Sequence, residues 1–167
     1  MAWRLLMAVA AWLLCVWPAA AQYDPAFAHY WELEPQYNPA AVGRSPQLSL
    51  NMAYQAHATG FEDAGSTMYA GADIALQLGR TRHGLGAVFQ NDEIGLFSHK
   101  RFSLQYAYHF KLWGGQLSVG AEADMLAEGI DGGKADVGES GDPAIPTSEV
   151  DGARFDASVG LWYAHGP

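Results

Sequence analysis

Residues 47–58 of the chain read QLSLNMAYQAHA, and apolar and polar side chains alternate along them. Successive side chains of a β-strand point to opposite faces, so this period of two predicts a strand with one apolar face. A soluble β-sandwich would bury that face in a core. An outer-membrane β-barrel would turn it toward lipid and line its lumen with the polar face. The alternation alone leaves both alternatives open.

The first residues of the chain have the layout of an export signal. Arg4 supplies a positive charge, residues 5–17 form an apolar run, and small residues precede a predicted cleavage before Gln22. The run has 13 residues, whereas a helix needs about 20 to span a bilayer, and Pro18 ends it. A membrane anchor is therefore the less favoured alternative, and we expect export with cleavage.

Cysteine content and charge exclude several classes of protein. The single cysteine, Cys15, lies inside the predicted signal. The exported chain would therefore have no disulfide framework, thiol nucleophile or Cys-ligated zinc. Loss of Arg4 would leave eight basic and 18 acidic residues, a net charge of −10. Such an acidic chain is a poor nucleic-acid binder.

Five further segments repeat the alternation: 67–79, 84–91, 97–110, 116–127 and 153–164. Several run about 10 to 14 residues, longer than the roughly 5–6 of globular sheets and suited to the roughly 9–11 of a tilted membrane strand. No 3.6-residue stripe follows Gln22. We therefore predict an all-β fold, an antiparallel transmembrane β-barrel of the bacterial outer membrane. Its first strand turns four apolar side chains to lipid: Leu48, Leu50, Met52 and Tyr54.

The connections are expected to alternate in length, as in outer-membrane barrels. Tight turns are predicted at 80–83 and 111–115, and longer connections at 59–66, 92–96 and 128–152. The short turns are expected in the periplasm and carry Arg80, Arg82 and Lys111. Aromatic residues gather toward the same side, as at a membrane interface: Tyr106, Tyr108, Phe110, Trp113, Trp162 and Tyr163.

The number of predicted strands is too small for a closed barrel. The smallest single-chain membrane barrels have about 8 strands, and an open edge in hydrocarbon costs several kcal/mol for each unpaired backbone group. The sequence ends at residues 163–167 in a predicted turn. We therefore expect the N-terminal part of a longer protein, or a truncated reading frame.

The segment after the predicted signal, QYDPAFAHYWELEPQYNPAAVG at 22–43, carries the most specific motifs. Its Asp-Pro pair, its aromatic residues and its Asn-Pro-Ala…Gly run resemble the start of mature PorP/SprF-type membrane proteins of the type IX secretion system. The likeness continues, in order, at 84–86, 91–95, 106–108, 117–120, 155–156 and 160–163. Each motif alone is weak, but together they cover nearly all of 22–163.

The resemblance implies an outer-membrane barrel that serves protein secretion and, in some bacteria, gliding or adhesin display. The partners it implies are outer-membrane lipid, periplasmic ring and motor components, and secreted cargo or an adhesin, with no nucleic acid. It implies no enzyme activity, no catalytic residue, no cofactor and no metal. A general porin or solute channel and a secreted soluble β-sandwich remain the alternatives.

These observations divide the chain into a signal peptide (1–21), a lead segment (22–46) and a partial barrel (47–167). Pro25, Pro35 and Pro39 of the lead segment predict that it has no regular secondary structure. Its aromatic residues are too apolar for a free tail. We expect most of it to plug the periplasmic mouth of the barrel, with contact to a periplasmic partner near Tyr23 to Tyr30. The candidate plug or docking residues are Tyr23, Asp24, Pro25, Phe27, Tyr30, Asn38 and Pro39.

Other polar residues are considered as candidate binding or metal sites. Six lumen-facing residues are expected to form a cross-strand polar network: Asp73, Arg101, Glu122, Asp124, Arg154 and Asp156. The six scattered histidines have no metalloprotease spacing, and we interpret them as lumen or interface groups. Acidic residues among the glycines of 129–143 suit calcium, but their spacing matches neither an EF-hand loop nor a glycine-rich nonapeptide. A solvated loop is therefore the favoured interpretation.

Overall fold

The structure is a computed structural model. It describes residues 27–57, 65–130 and 150–165, without the side chains of residues 150 and 151. The predicted signal peptide lies outside the described residues. So do Tyr23, Asp24 and Pro25, and the acidic residues considered for calcium, Asp131, Asp136, Glu139 and Asp142.

Six strands form one antiparallel sheet in which each strand pairs with the next along the chain. They are β1 (Ser49–Ala56), β2 (Ser66–Leu78), β3 (Thr81–Ile94), β4 (Phe97–Leu112), β5 (Gly115–Ile130) and β6 (Val150–His165). Over the described residues β1 and β6 are the two edges. The all-β antiparallel prediction is confirmed, and this open sheet is consistent with part of a β-barrel.

The two faces of the sheet differ in chemistry and exposure. One face, here called the outer face, carries large apolar side chains that are mostly exposed, including Met52 (83%) and Leu104 (71%). The opposite, inner face carries polar side chains that are buried, including Thr67 and Ser103. Of the side chains predicted to face lipid, Leu50, Met52 and Tyr54 lie on the outer face of β1. Leu48 comes just before the strand, and all four are at least 60% exposed. An exposed apolar face on this scale marks contact with a membrane or another protein.

Three connections are two-residue turns: Gly79–Arg80, Gly95–Leu96 and Trp113–Gly114. The first residue of each has positive φ, as two-residue hairpins that match the strand twist require. The connection expected at 92–96 is therefore short, and the predicted alternation of short and long connections is wrong there. Strand β3 continues because Asp92 turns inward and accepts a hydrogen bond from Thr67 of β2.

The described part of the lead segment lies against the inner face. It contains a 3₁₀ turn (Tyr30–Glu32), a one-turn helix α1 (Glu34–Tyr37) and a second 3₁₀ turn (Pro39–Ala41). The expectation that its prolines exclude regular structure is wrong. Pro35 and Pro39 occupy first-turn positions, where the missing N–H is not needed. No helix of the described residues is long and apolar enough to cross a membrane.

The apolar core of the described residues lies between the lead segment and the sheet. Phe27 and Leu33 of the lead pack with Tyr69 of β2 and Val88 of β3, and Ala53 of β1 lies against this cluster. The Phe27 and Tyr69 rings meet edge to face, with centroids 6.1 Å apart. Among the described residues, the buried apolar side chains therefore lie where the lead segment meets the inner face.

Leu104→Arg tests whether the outer face meets lipid. Leu104 is exposed, so arginine would be tolerated if this face met water, but it costs about 2–4 kcal/mol near a bilayer midplane. We expect Leu104→Arg to destabilise the protein in lipid vesicles by that amount, measured by guanidinium unfolding. Leu104→Met is the matched control, and equal stability of the two variants would contradict lipid contact.

Candidate functional site

A row of small residues crosses the inner face on four neighbouring strands. Gly84 of β3 pairs with Ala107 of β4, Ala107 pairs with Gly120 of β5, and Gly120 pairs with Gly160 of β6. We call these four residues the small-residue row. Glycine inside a strand weakens it and often marks a place where another backbone approaches closely.

Residues 38–43 of the lead segment lie on this row and run across the strands; we call them the crosspiece. A Cβ atom added to Gly160 would collide with the Asn38 side chain, and one added to Gly120 with the backbone of Pro39 and Ala40. A Cβ on Gly84 would collide with the Val42 carbonyl. Gly84 and Gly120 therefore accommodate the backbone of the crosspiece, and Gly160 accommodates the Asn38 side chain.

Asn38 fixes the start of the crosspiece with both ends of its amide. Its Oδ1 accepts a hydrogen bond from the Ala40 N–H at 2.9 Å and so caps the 3₁₀ turn. Its Nδ2 donates to the Leu161 carbonyl of edge strand β6 at 3.0 Å. One side chain thus shapes the crosspiece and ties it to the sheet.

Two buried side chains of the sheet hold the end of the crosspiece. Asp73 Oδ1 accepts from the Gly43 N–H at 2.9 Å, and His109 Nε2 donates to the Val42 carbonyl at 2.8 Å. Because a carbonyl only accepts, Nε2 carries the proton, and in the neutral imidazole Nδ1 accepts from the Ser118 hydroxyl at 2.6 Å. Gly43 has φ +71°, a conformation that favours glycine.

Arg44 fastens the chain just beyond the crosspiece. Its guanidinium pairs with Glu34 and lies 3.8 Å from the centroid of the Trp162 ring. Its carbonyl accepts from Arg82 Nη2 at 2.6 Å. Partial burial lowers the pKa of Arg44 below its ordinary value. Trp162 faces inward, on the side opposite its neighbour Tyr163, because neighbouring residues of a strand face opposite sides.

The lead segment upstream of the crosspiece follows the same face. Gln105 Nε2 donates to the Pro35 carbonyl at 2.6 Å, and Gln36 Nε2 lies 3.4 Å from Gln90 Oε1. Further upstream, the Phe27 N–H donates to the Tyr37 hydroxyl at 3.3 Å. Strands β3 and β4 therefore hold the lead at several points.

The predicted candidate residues separate into two groups. Phe27, Asn38 and Pro39 contact the sheet, and Phe27 is only 7% exposed. Tyr30 is 61% exposed and packs edge to face with Trp31, which is 54% exposed. Whether either group plugs a barrel or docks a partner stays a prediction.

The prediction missed the sheet residues that receive the lead segment: Asp73 as its hydrogen-bond partner, Gly84, Gly120, Gly160, His109 and Trp162. It also missed Arg44 within the lead segment itself. Glycines on the polar face of three neighbouring strands were the available signal. It becomes specific only once the strand register places them in one row.

Part of the predicted cross-strand polar network is present: Arg101, Glu122, Asp124 and Arg154 each bond to a residue of a neighbouring strand. Ser103 donates to Asp124 and Gln105 donates to Glu122. Arg154 Nη2 donates to Glu128 Oε1 at 2.8 Å. The first two contacts satisfy buried or half-buried polar groups, whereas the Arg154–Glu128 pair is exposed.

Three polar side chains contact one another near the start of β2: His57, Thr67 and Asp92. The Thr67 hydroxyl donates its proton to Asp92 and is fully buried. It is therefore not placed as a nucleophile with His57 as its base, which requires the proton to face the histidine. Within the described ranges, no group of three or more His, Cys, Asp or Glu residues could hold a metal ion.

Asn38 variants test the start of the crosspiece. Asn38→Ala removes the cap and the bond to Leu161, and we expect it to destabilise the protein by about 1–2 kcal/mol, measured by unfolding in lipid vesicles. Asn38→Asp keeps the cap but cannot donate, so its stability should fall between that of Asn38→Ala and the wild type. Wild-type stability of Asn38→Ala would contradict this assignment.

Comparison with known proteins places the chain in a family. The family model for the type IX secretion system membrane protein PorP/SprF matches residues 19–167. No curated protein and no solved structure matches the chain. The family match covers most of the sequence, including the lead segment and all six strands. The chain therefore belongs to the PorP/SprF family of type IX secretion system membrane proteins.

Proposed function

We propose that this chain is an outer-membrane β-barrel component of the type IX secretion system that acts by binding partners and not by catalysis. Its membership of a secretion-system membrane family carries the proposal. The exposed apolar outer face supports a lipid environment. The predicted export signal supports delivery to the outer membrane. Gliding or adhesin display would follow from the cargo that the system secretes.

The inner face favours partner binding over free diffusion of solutes. The crosspiece covers the small-residue row from β3 to β6, and polar side chains of the sheet bond to its backbone. A diffusion channel needs that surface to line water. The covered face therefore favours a plugged barrel over the porin alternative.

The exposed part of the lead segment is the proposed docking surface. We define it as the aromatic turn, residues His29, Tyr30 and Trp31. The Trp31 ring packs edge to face against the rings of His29 and Tyr30, at centroid distances of 5.2 Å and 5.3 Å. The buried Phe27 and Leu33 flank this turn and fix its base on the sheet. Exposed aromatic residues on a rigid base are typical anchors of protein interfaces, and we assign them to a periplasmic ring or motor component.

Tyr30→Ala combined with Trp31→Ala tests the docking. Aromatic anchors contribute about 2 kcal/mol or more each, so we expect the double variant to lose most co-purified periplasmic ring and motor components and most secreted cargo. The measurement is affinity purification from the native bacterium, together with quantification of secreted protein.

Tyr54→Ala is the matched control, because Tyr54 is a similarly exposed aromatic residue on the outer face. Phe27→Ala is unsuitable, since Phe27 belongs to the apolar cluster. Equal recovery of partners and cargo from the double variant and the control would refute docking through the aromatic turn. Open-channel conductance of the wild-type protein in planar bilayers would favour the porin.

A further inference from the structure

An apolar groove crosses the outer face of the sheet. It is a cavity of about 730 Å³ that extends from Leu50 of β1 to Met125 of β5 and Phe155 of β6. Phe89 and Phe102, whose ring centroids are 4.7 Å apart, line one side of it. Its volume lies within the roughly 300–1,000 Å³ of ligand cavities. The outer face therefore contains a recess large enough for a hydrocarbon chain.

A second, smaller cavity lies beside the groove. It has a volume of about 340 Å³ and is lined by Ser98 and Lys100 of β4 and by small residues of β5 and β6, including Ala127 and Ala153. Ala127 and Ala153 come two residues from Met125 and Phe155, which line the groove. Residues two apart in a strand share a face, so the two cavities are neighbours on the outer face.

Lys100 brings a positive charge to this apolar surface. It is the only lysine or arginine on the outer face of the described strands. Its side chain is exposed, and no ion pair joins it to another described residue. Glu128 lines the same cavity but accepts from Arg154 at 2.8 Å, and Glu93 accepts from Asn91 at 3.0 Å. The Lys100 ammonium is therefore available to an external anion.

The height of Lys100 on the sheet suits a lipid headgroup. Phe110 lies ten residues further along β4, and ten steps of about 3.3 Å tilted by about 40° rise about 25 Å, the height of the apolar band of a membrane barrel. The outer-face residues between them are Phe102, Leu104, Tyr106 and Tyr108. Lys100 therefore marks one boundary of the band. The groove begins at Phe102, within the roughly 15 Å that one acyl chain covers.

We propose that the outer face binds one anionic lipid, with its phosphate group beside Lys100 and one acyl chain in the groove. The two neighbouring cavities match the two parts of such a molecule. The unpaired charge of Lys100 selects an anionic headgroup over a neutral one, because a lysine near the membrane surface attracts anionic lipid. This proposal requires the lipid environment of the proposed function, but it does not require docking of a periplasmic partner.

The headgroup is tested by native mass spectrometry of the full-length protein purified in detergent. The probes are phosphatidylglycerol and phosphatidylcholine with identical acyl chains. We expect one bound lipid and about a fivefold preference for phosphatidylglycerol, as one lysine near the surface supplies. Lys100→Gln should remove the preference and Lys100→Arg should keep it. Lys111→Gln is the matched control, because Lys111 lies at the other end of β4. No preference in the wild type, or an unchanged preference in Lys100→Gln, would overturn the headgroup site.

The groove is tested in the same experiment with Ala87→Leu combined with Ala123→Leu. Both alanines line the groove and are exposed, so the added side chains should fill it without disturbing the fold. We expect retention of both lipids to fall severalfold. Val119→Leu, on the outer face away from the groove, should retain them. A heat-dependent mobility shift in detergent gels verifies that each variant is folded, and Ala123→Leu alone replaces the pair if the pair is not.

Unchanged lipid retention in the folded groove variant would overturn the acyl-chain site. A lipid-free dimer of the wild type that the groove variant abolishes would assign the groove to a second copy of the chain, and would also overturn the proposal. None of these readouts depends on secretion or on the aromatic turn. The lipid site and the proposed docking can therefore fail independently.

Discussion

Close approach between the crosspiece and the small-residue row is the contact on which the rest of the described structure depends. The crosspiece can approach so closely only because Gly84, Gly120 and Gly160 have no side chains: the first two meet its backbone and Gly160 meets the Asn38 side chain. Once the crosspiece lies in that position, its N–H and C=O groups are out of water and need partners. Asp73 and His109 supply them from neighbouring strands. The same contact places Phe27 and Leu33 over Tyr69 and Val88, and so sets the apolar cluster.

The strands and their faces could be predicted from the sequence because alternation is a local property. The face on which a side chain lies follows from its position along the strand. Leu50 and Asn51 can therefore be assigned to opposite faces before the partner strand is known. The failure at 92–96 has a physical cause. Asn91, Asp92 and Glu93 resemble a loop in composition, but on an inner face that bonds polar groups, Asp92 is as suitable as a valine in a dry core.

The site could be predicted only in part, because its contacts are distant in sequence. Asn38 and Pro39 were recognised through a motif, yet nothing local to them indicates that Gly160 is their partner, 122 positions away along the chain for Asn38. Their meeting depends on the pairing of four strands in register. The contact between Arg44 and Trp162 is equally non-local. The two-residue turns fix the register only from β2 to β5, whereas β6 is placed by its pairing with β5 across a long connection.

The division of the lead segment into a seated part and an exposed part bears on how a secretion component of this kind works. Releasing the crosspiece would break bonds from Asn38, Val42 and Gly43 to the sheet, each worth about 0.5–1.5 kcal/mol. It would also open the row to water and uncover a poorly packed stretch of strand. If this segment opened and closed a passage, each opening would require the free energy of breaking these bonds. The aromatic turn carries no such cost, because Tyr30 and Trp31 are already exposed. These costs therefore favour the proposed docking platform over a gate that moves.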